Sequence, residues 1–198
     1  MITAESLGVP GSFNAASYFV DRHIVEGRGP SVAIECGAER VTYTELHERT
    51  NRFGSALRSS FDVRVEERVA LLLLDGPAFA YAFFGAIKIG AVPIPVNTLW
   101  KAADYRYLLS DSKARVLVVS EELLPEVTKI PRDAIPGLEH VLVVGRRHAG
   151  GPSEFERFLS KGTSVLDAEP VSRDAPAFWL YSSGSTGRPK GCVHLQHD

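Results

Sequence analysis

The sequence predicts an α/β fold: a doubly wound, mostly parallel sheet flanked by helices. Three observations carry that expectation. Residues 68–74, Arg-Val-Ala-Leu-Leu-Leu-Leu, form an apolar run without alternation, as a strand covered on both faces would. Strand-like and helix-like segments alternate along the chain, the pattern of βαβ units. With 44% hydrophobic and 23% charged residues over 198 positions, there is enough apolar side chain for a sizeable core.

Taken in order, residues 14–26 set Phe19 with His23 and Val20 with Ile24 at helical spacing, and Gly27-Arg28-Gly29-Pro30 ends that helix. Two short strands, 31–36 and 40–43, follow around the Gly37-Ala38 turn. Thr42-x-x-Glu45 has the form of a capping box and opens a helix running to about Ser59, with Leu46, Thr50, Phe53 and Leu57 as its buried stripe. After the 68–74 strand, Asp75-Gly76-Pro77 turns the chain into a helix over 78–89, apolar nearly all round and therefore buried. Gly90 stops it. The next strand, 91–96, carries Pro93 and Pro95, which cannot donate to a ladder, so it belongs at an edge.

Asn97-Thr98 is expected to cap a helix over 101–110. A strand over 115–120, a helix over 121–129 and a strand over 140–145 continue the alternation. Residues 145–152, with Arg146 and Arg147, read as a mobile surface loop. Ser153 caps a short helix over 154–159, and 161–176 leads to a buried strand over 177–180, with 192–195 as a returning strand.

Charge and composition exclude several classes. Lys+Arg 22 against Asp+Glu 24 gives a net charge of −2, without the basic excess of a nucleic-acid binder. Cys36 and Cys192 match no metal spacing and suit reduced thiols in a cytoplasmic setting. The first residues lack the basic and apolar regions of a secretory signal. The most apolar window, 79–96, is interrupted by Gly85, Lys88, Gly90, Pro93 and Pro95, so no membrane span is expected. His194 and His197 stand at i, i+3, one helical face, but without a third ligand. Asp75 and Asp111 have no visible partner and read as turn or cap residues.

Chemistry concentrates near the end, in Tyr181-Ser182-Ser183-Gly184-Ser185-Thr186-Gly187-Arg188-Pro189-Lys190-Gly191. Glycines allow successive N–H groups to turn inward around an anion, where a Cβ would obstruct. Hydroxyls add donors, and Lys190 adds a mobile point charge whose approach Pro189 restricts. The spacing is not that of a Walker A loop, and on composition alone the stretch is equally a flexible hairpin.

This string resembles the phosphate-loop signature of the adenylate-forming, or AMP-binding, superfamily: acyl- and aryl-CoA ligases, luciferases and peptide-synthetase adenylation domains. Arg188 falls at the pattern's variable position. The run from Gly85 to Asn97 resembles a second superfamily block, and Pro-Ile-Pro-Val-Asn-Thr-Leu-Trp at 93–100 is closest to the benzoate-CoA ligase subgroup. Gln196 departs from the histidine many relatives show, and His197 stands one place later.

The resemblance implies that residues 1–198 are the N-terminal portion of an AMP-binding domain, with the mobile C-terminal domain absent from the chain. It implies ATP, Mg²⁺ and coenzyme A as cofactors or substrates, and an aromatic carboxylic acid as the activated partner. Ser182, Ser183, Ser185 and Thr186, with the N–H groups of Gly184 and Gly187, would hold the phosphates. Lys190 would neutralise the departing pyrophosphate, and Thr186 or Ser185 would bear on the metal. The alternatives are a domain that loads a carrier protein and a non-catalytic binding module. A sheet interrupted just after the loop also leads us to expect self-association.

Overall fold

The computed structural model describes residues 4–145, 151–182 and 187–198. The chain opens on α1, a π-helical turn (Ser17–Asp21) running into an α-helical one (Arg22–Val25). The helix expected there is present but widened, with the Arg22 N–H reaching back to the Ser17 carbonyl. Strands β1 (Val32–Cys36) and β2 (Glu39–Thr42) pair antiparallel. Thr42 then caps α2 (Tyr43–Phe61): its Oγ1 accepts from the Glu45 N–H at 3.2 Å, and the Glu45 carboxylate accepts from the Thr42 N–H at 2.8 Å. Leu46, Thr50, Phe53 and Leu57 are buried, as their spacing requires.

Next come β3 (Arg68–Leu72), α3 (Pro77–Lys88), β4 (Val92–Pro95), α4 (Ala102–Ser112) and β5 (Val116–Ser120). They are followed by α5 (Leu124–Val127), β6 (His140–Val144) and α6 (Glu154–Leu159). The four central strands pair in parallel in the order β4-β3-β5-β6. Successive strand residues point to opposite faces. Val69, Leu71, Val116 and Val118 meet Phe53 and Leu57 of α2, Ala82 and Ala86 of α3, and Phe155 and Phe158 of α6. Ala70, Leu72, Leu117 and Val119 meet Tyr105, Leu108 and Leu109 of α4 and Val127 of α5. Over residues 69–72, with helices on both sides, the strand has no solvent-facing position and so lacks alternation; the strand expected to run to Leu74 ends at Leu72, and Leu74 is exposed.

The closest helix contact depends on two glycines. A Cβ on Gly54 would stand 2.7 Å from the Gly85 carbonyl oxygen, and one on Gly85 would stand 2.8 Å from that of Thr50. α2 and α3 therefore approach backbone to backbone. At the end of α3, Lys88 is 1% exposed, and its Nζ donates to Asp21 Oδ1 at 2.6 Å and Asn51 Oδ1 at 2.5 Å. Asn51 in turn donates to the Ser164 carbonyl. The buried charge is thus paired and hydrogen-bonded, as burial demands.

The prolines of β4 act as expected. Val92 and Val96 donate to the Glu67 and Leu71 carbonyls, so the intervening Pro93 and Pro95 turn their donor-free nitrogens to the other side. β7 (Pro176–Ser182) lies beside β4 but forms a separate sheet with β8 (Lys190–Leu195).

Three expectations about elements require correction. The strand expected to be buried over 177–180 lies within β7, where Ala177 is buried but Leu180 is exposed, because one face of the hairpin meets solvent. Asn97 does not cap α4; its Oδ1 accepts from the Leu99 N–H at 2.9 Å in a local turn, and Asp104 instead accepts from the Lys101 N–H at the helix start. The helix expected over 121–129 is broken into a 3₁₀ turn (Glu121–Leu123) and the short α5. Pro125 supplies no N–H to continue the first turn into the second. The loop expected around Arg146 and Arg147 lies outside the described residues.

Candidate functional site

β7 and β8 form an antiparallel hairpin, which sorts the residues of the Ser/Gly stretch by face. Ser182 pairs directly with Lys190, Leu180 with Cys192, and Phe178 with His194. These share one face, because opposed residues in an antiparallel pair point the same way. Ser182 and Lys190 are both exposed there, and Ser182 Oγ lies 3.8 Å from Cys192 Sγ. Among the described residues no carboxylate pairs with Lys190, so its ammonium is available to an anion.

The opposite face anchors the hairpin. Trp179 and Tyr181 pack on the α4 side of the core. Tyr181 pairs with Gly191, where an added Cβ would stand 3.3 Å from the tyrosine ring. The Tyr181 hydroxyl donates to Asp111 Oδ2 of α4 at 2.6 Å. Burial first, and then the Asp111 carboxylate, hold this phenol well above its ordinary pKa, so it stays a donor. Asp111 therefore has a partner, contrary to the sequence expectation, because strand and helix meet only in the fold. On the loop's other stem, the Arg188 guanidinium lies 5.2 Å from the centre of the Tyr107 ring. A cleft of about 340 Å³ lined by Arg106, Tyr107, Ser110, Arg188 and Pro189 adjoins it.

Of the predicted site residues, the fold brings Ser182 and Lys190 face to face. Gly187 is exposed, and a Cβ there would meet nothing within 4 Å. At Gly191 an added Cβ would instead meet the Tyr181 ring. Ser183, Gly184, Ser185 and Thr186 lie outside the described residues.

The two histidines do not share a helix face. His194 sits in β8 with its ring stacked on Phe178, centroids 4.5 Å apart. His197 Nδ1 lies 2.8 Å from the Arg173 carbonyl oxygen. Gln196, at the position of departure from the superfamily pattern, is 3% exposed; its Oε1 accepts from the Ala15 N–H at 2.8 Å and its Nε2 donates to the Pro176 carbonyl. It ties the hairpin to the start of the chain. A second cleft, of about 420 Å³, is lined by Glu48, Arg49, Arg52 and Glu156, but its arginines are already paired: Arg49 with Glu156 at 2.6 Å and Arg52 with Glu48 at 3.0 Å.

Residues 21–198, which include the doubly wound sheet and the opposed Ser182 and Lys190, match a family model described as AMP-binding enzyme. The chain belongs to the AMP-binding enzyme family. It is 43% identical over 196 residues to a benzoate–CoA ligase of Thauera aromatica, covering 99% of this chain and 36% of that protein. It is 38% identical to a 4-hydroxybenzoate–CoA/benzoate–CoA ligase of Rhodopseudomonas palustris, covering 92% and 33%. Among solved structures, an anthranilate CoA ligase in complex with anthranoyl-AMP superposes with a TM-score of 0.90 at 33% identity, covering 99% of this chain and 37% of that one. A benzoate CoA ligase from Burkholderia xenovorans gives 0.77 at 36% identity, covering 93% and 35%. The AMP-binding chain thus spans about a third of the length of the relatives it matches.

Proposed function

We propose that this AMP-binding chain is the phosphate-binding portion of an ATP-dependent ligase that activates a benzoate-type acid as its acyl-AMP and passes the acyl group to coenzyme A. The observation that carries this is the direct opposition of Ser182 and Lys190 on the exposed face of the hairpin, at the two ends of the hydroxyl-rich loop. The relatives it resembles at 43% and 38% identity are aryl-CoA ligases, which supports the aromatic substrate. Those relatives are far longer, so the complete reaction is proposed for the whole protein that carries this chain.

The physical difficulty is repulsion between a carboxylate and a polyphosphate. Fixed donors and a cation at the leaving end spread the charge that builds as pyrophosphate departs, while holding both reactants lowers the entropic cost. Ser182, Ser183, Ser185 and Thr186 would donate hydroxyls, Gly184 and Gly187 backbone N–H groups, and Lys190 its ammonium. Among the described residues no group of three His, Cys, Asp or Glu side chains gathers to hold a metal. Thr186 or Ser185 would bear on the Mg²⁺ that accompanies ATP.

The test is carboxylate-dependent exchange of pyrophosphate into ATP by the whole protein. Exchange should require a carboxylic acid and favour benzoate-type acids over fatty and amino acids. Exchange with amino acids alone would indicate a carrier-loading domain, and exchange with long-chain fatty acids alone would remove the aromatic assignment.

A further inference from the structure

We propose that Tyr181 and Asp111 form a positioning clasp, in which α4 holds one tyrosine across both stems of the phosphate loop and so sets where Lys190 stands. The inference rests on reading the hairpin as a phosphate site. Its geometry, however, belongs to residues outside the loop's own donors. Tyr181 immediately precedes Ser182, the first donor of the loop. Its ring crosses to the other strand and lies against Gly191, the residue immediately after Lys190. A Cβ at Gly191 would stand 3.3 Å from the ring, a tight contact that the tyrosine would have to shift to relieve.

The hydroxyl then ends on Asp111 at 2.6 Å, which fixes the ring's direction from a separate element. One turn earlier on the same helix, Tyr107 receives the Arg188 guanidinium. Both stems therefore lean on α4, which is itself buried through Tyr105, Leu108 and Leu109. A flexible ammonium makes a poor electrostatic partner unless its backbone is fixed, and contacts at the neighbouring residue supply that. Asp111 acts through Tyr181 and touches no substrate in this account.

The test measures pyrophosphate exchange and melting temperature in the whole protein. Tyr181→Phe and Asp111→Ala should each lower kcat about fivefold, a fraction of the roughly ten- to hundredfold that a hydrogen bond to a charged group contributes directly, because the clasp acts on Lys190 only through the backbone. KM for the carboxylic acid should not move. Asp111→Asn keeps an acceptor oxygen while losing the charge, and should stay within about twofold of wild type. In a Lys190→Ala background, Tyr181→Phe should add nothing, because the group it positions is gone.

Wild-type kcat in both Tyr181→Phe and Asp111→Ala, or a full multiplicative loss on top of Lys190→Ala, would overturn the clasp while leaving the phosphate site standing. A fall in melting temperature with unchanged kcat per folded molecule would reduce the contact to a structural one. Absence of carboxylate-dependent exchange in the wild type, or a silent Lys190→Ala, would overturn the phosphate reading and the clasp with it. Should Tyr181→Phe fail to fold, Asp111→Ala carries the same test from outside the hairpin.

Discussion

The parallel sheet and the β7–β8 hairpin solve opposite problems. In the sheet, residues 69–72 of β3 and 116–119 of β5 are buried on both faces, and these residues are nearly interchangeable in kind: Val, Leu, Ala. In the hairpin, β8 is exposed over Lys190–Val193 and its place is set by a few directed contacts: Tyr181 to Asp111, Gln196 to Ala15, and His194 stacked on Phe178. The sheet is held by area removed from water, which tolerates exchange of like for like. The hairpin depends on particular atoms at particular distances, and it carries the exposed donors. That difference predicts two separable kinds of damage.

The largest effect on stability should come from the sheet. Leu71→Ala, with no exposed surface to begin with, should cost about 2–5 kcal/mol in urea unfolding. Leu180→Ala on the hairpin, already 40% exposed, should cost well under about 1 kcal/mol. Equal losses at the two sites would break the comparison. Lys88→Ala comes next, because it strands Asn51 in the core and Asp21 beside it. A loss of about 3 kcal/mol is expected, at the lower end for a broken buried pair because Asp21 retains some access to water.

Gln196→Ala sharpens the contrast. It leaves the Ala15 N–H without its acceptor, so a loss of about 1–2 kcal/mol is expected. Faster amide exchange should be confined to the chain start and the hairpin, with the central strands unchanged. Spread of that exchange into β3 and β5 would show that the two regions are not separate.

The smallest effect is a pH dependence centred on the core. His47 stands beside Asn51, Asp21 and Lys88, and burial, aided by the Lys88 ammonium, lowers its pKa below 6.5 against the opposing pull of Asp21. The unfolded chain therefore takes up a proton near 6.5 that the folded chain refuses. Stability should be full above that value and decline as pH falls towards the folded pKa. His47→Gln should flatten the decline, leaving the part due to His23, which is shifted the same way by its own burial and by Arg28. An unchanged slope in His47→Gln would contradict the assignment.

The same division explains what could be read from the sequence. Uninterrupted apolar runs, the Thr42–Glu45 capping box and the paired prolines of β4 act locally or through periodicity, so the sheet and its edge were legible. The Ser/Gly stretch was legible as a motif, and the hairpin places two of its expected members, Ser182 and Lys190, opposite each other. Asp111 was not, because its partner lies 70 positions away and no period links them. Gln196 looked like a mere departure from a pattern, whereas its amide bridges two distant backbone segments, a contact with no local signature. The broken helix over 121–129 needed more weight on Pro125 than on apolar spacing.

The central claim is that Lys190 on this exposed hairpin serves the phosphates of ATP and contributes little to the fold. The most direct measurement compares Lys190→Ala with Arg64→Ala, an exposed arginine whose carboxylate neighbour is Asp62. Both variants are assayed in the whole protein for pyrophosphate exchange and for melting temperature. Lys190→Ala should lower kcat/KM for ATP about ten- to hundredfold, with a substantial part of the loss in kcat, because the leaving group gains charge in the transition state. KM for the carboxylic acid and the melting temperature should stay close to wild type, and Arg64→Ala should change neither constant. Wild-type kinetics in Lys190→Ala, matching the Arg64→Ala control, would contradict the phosphate-site account.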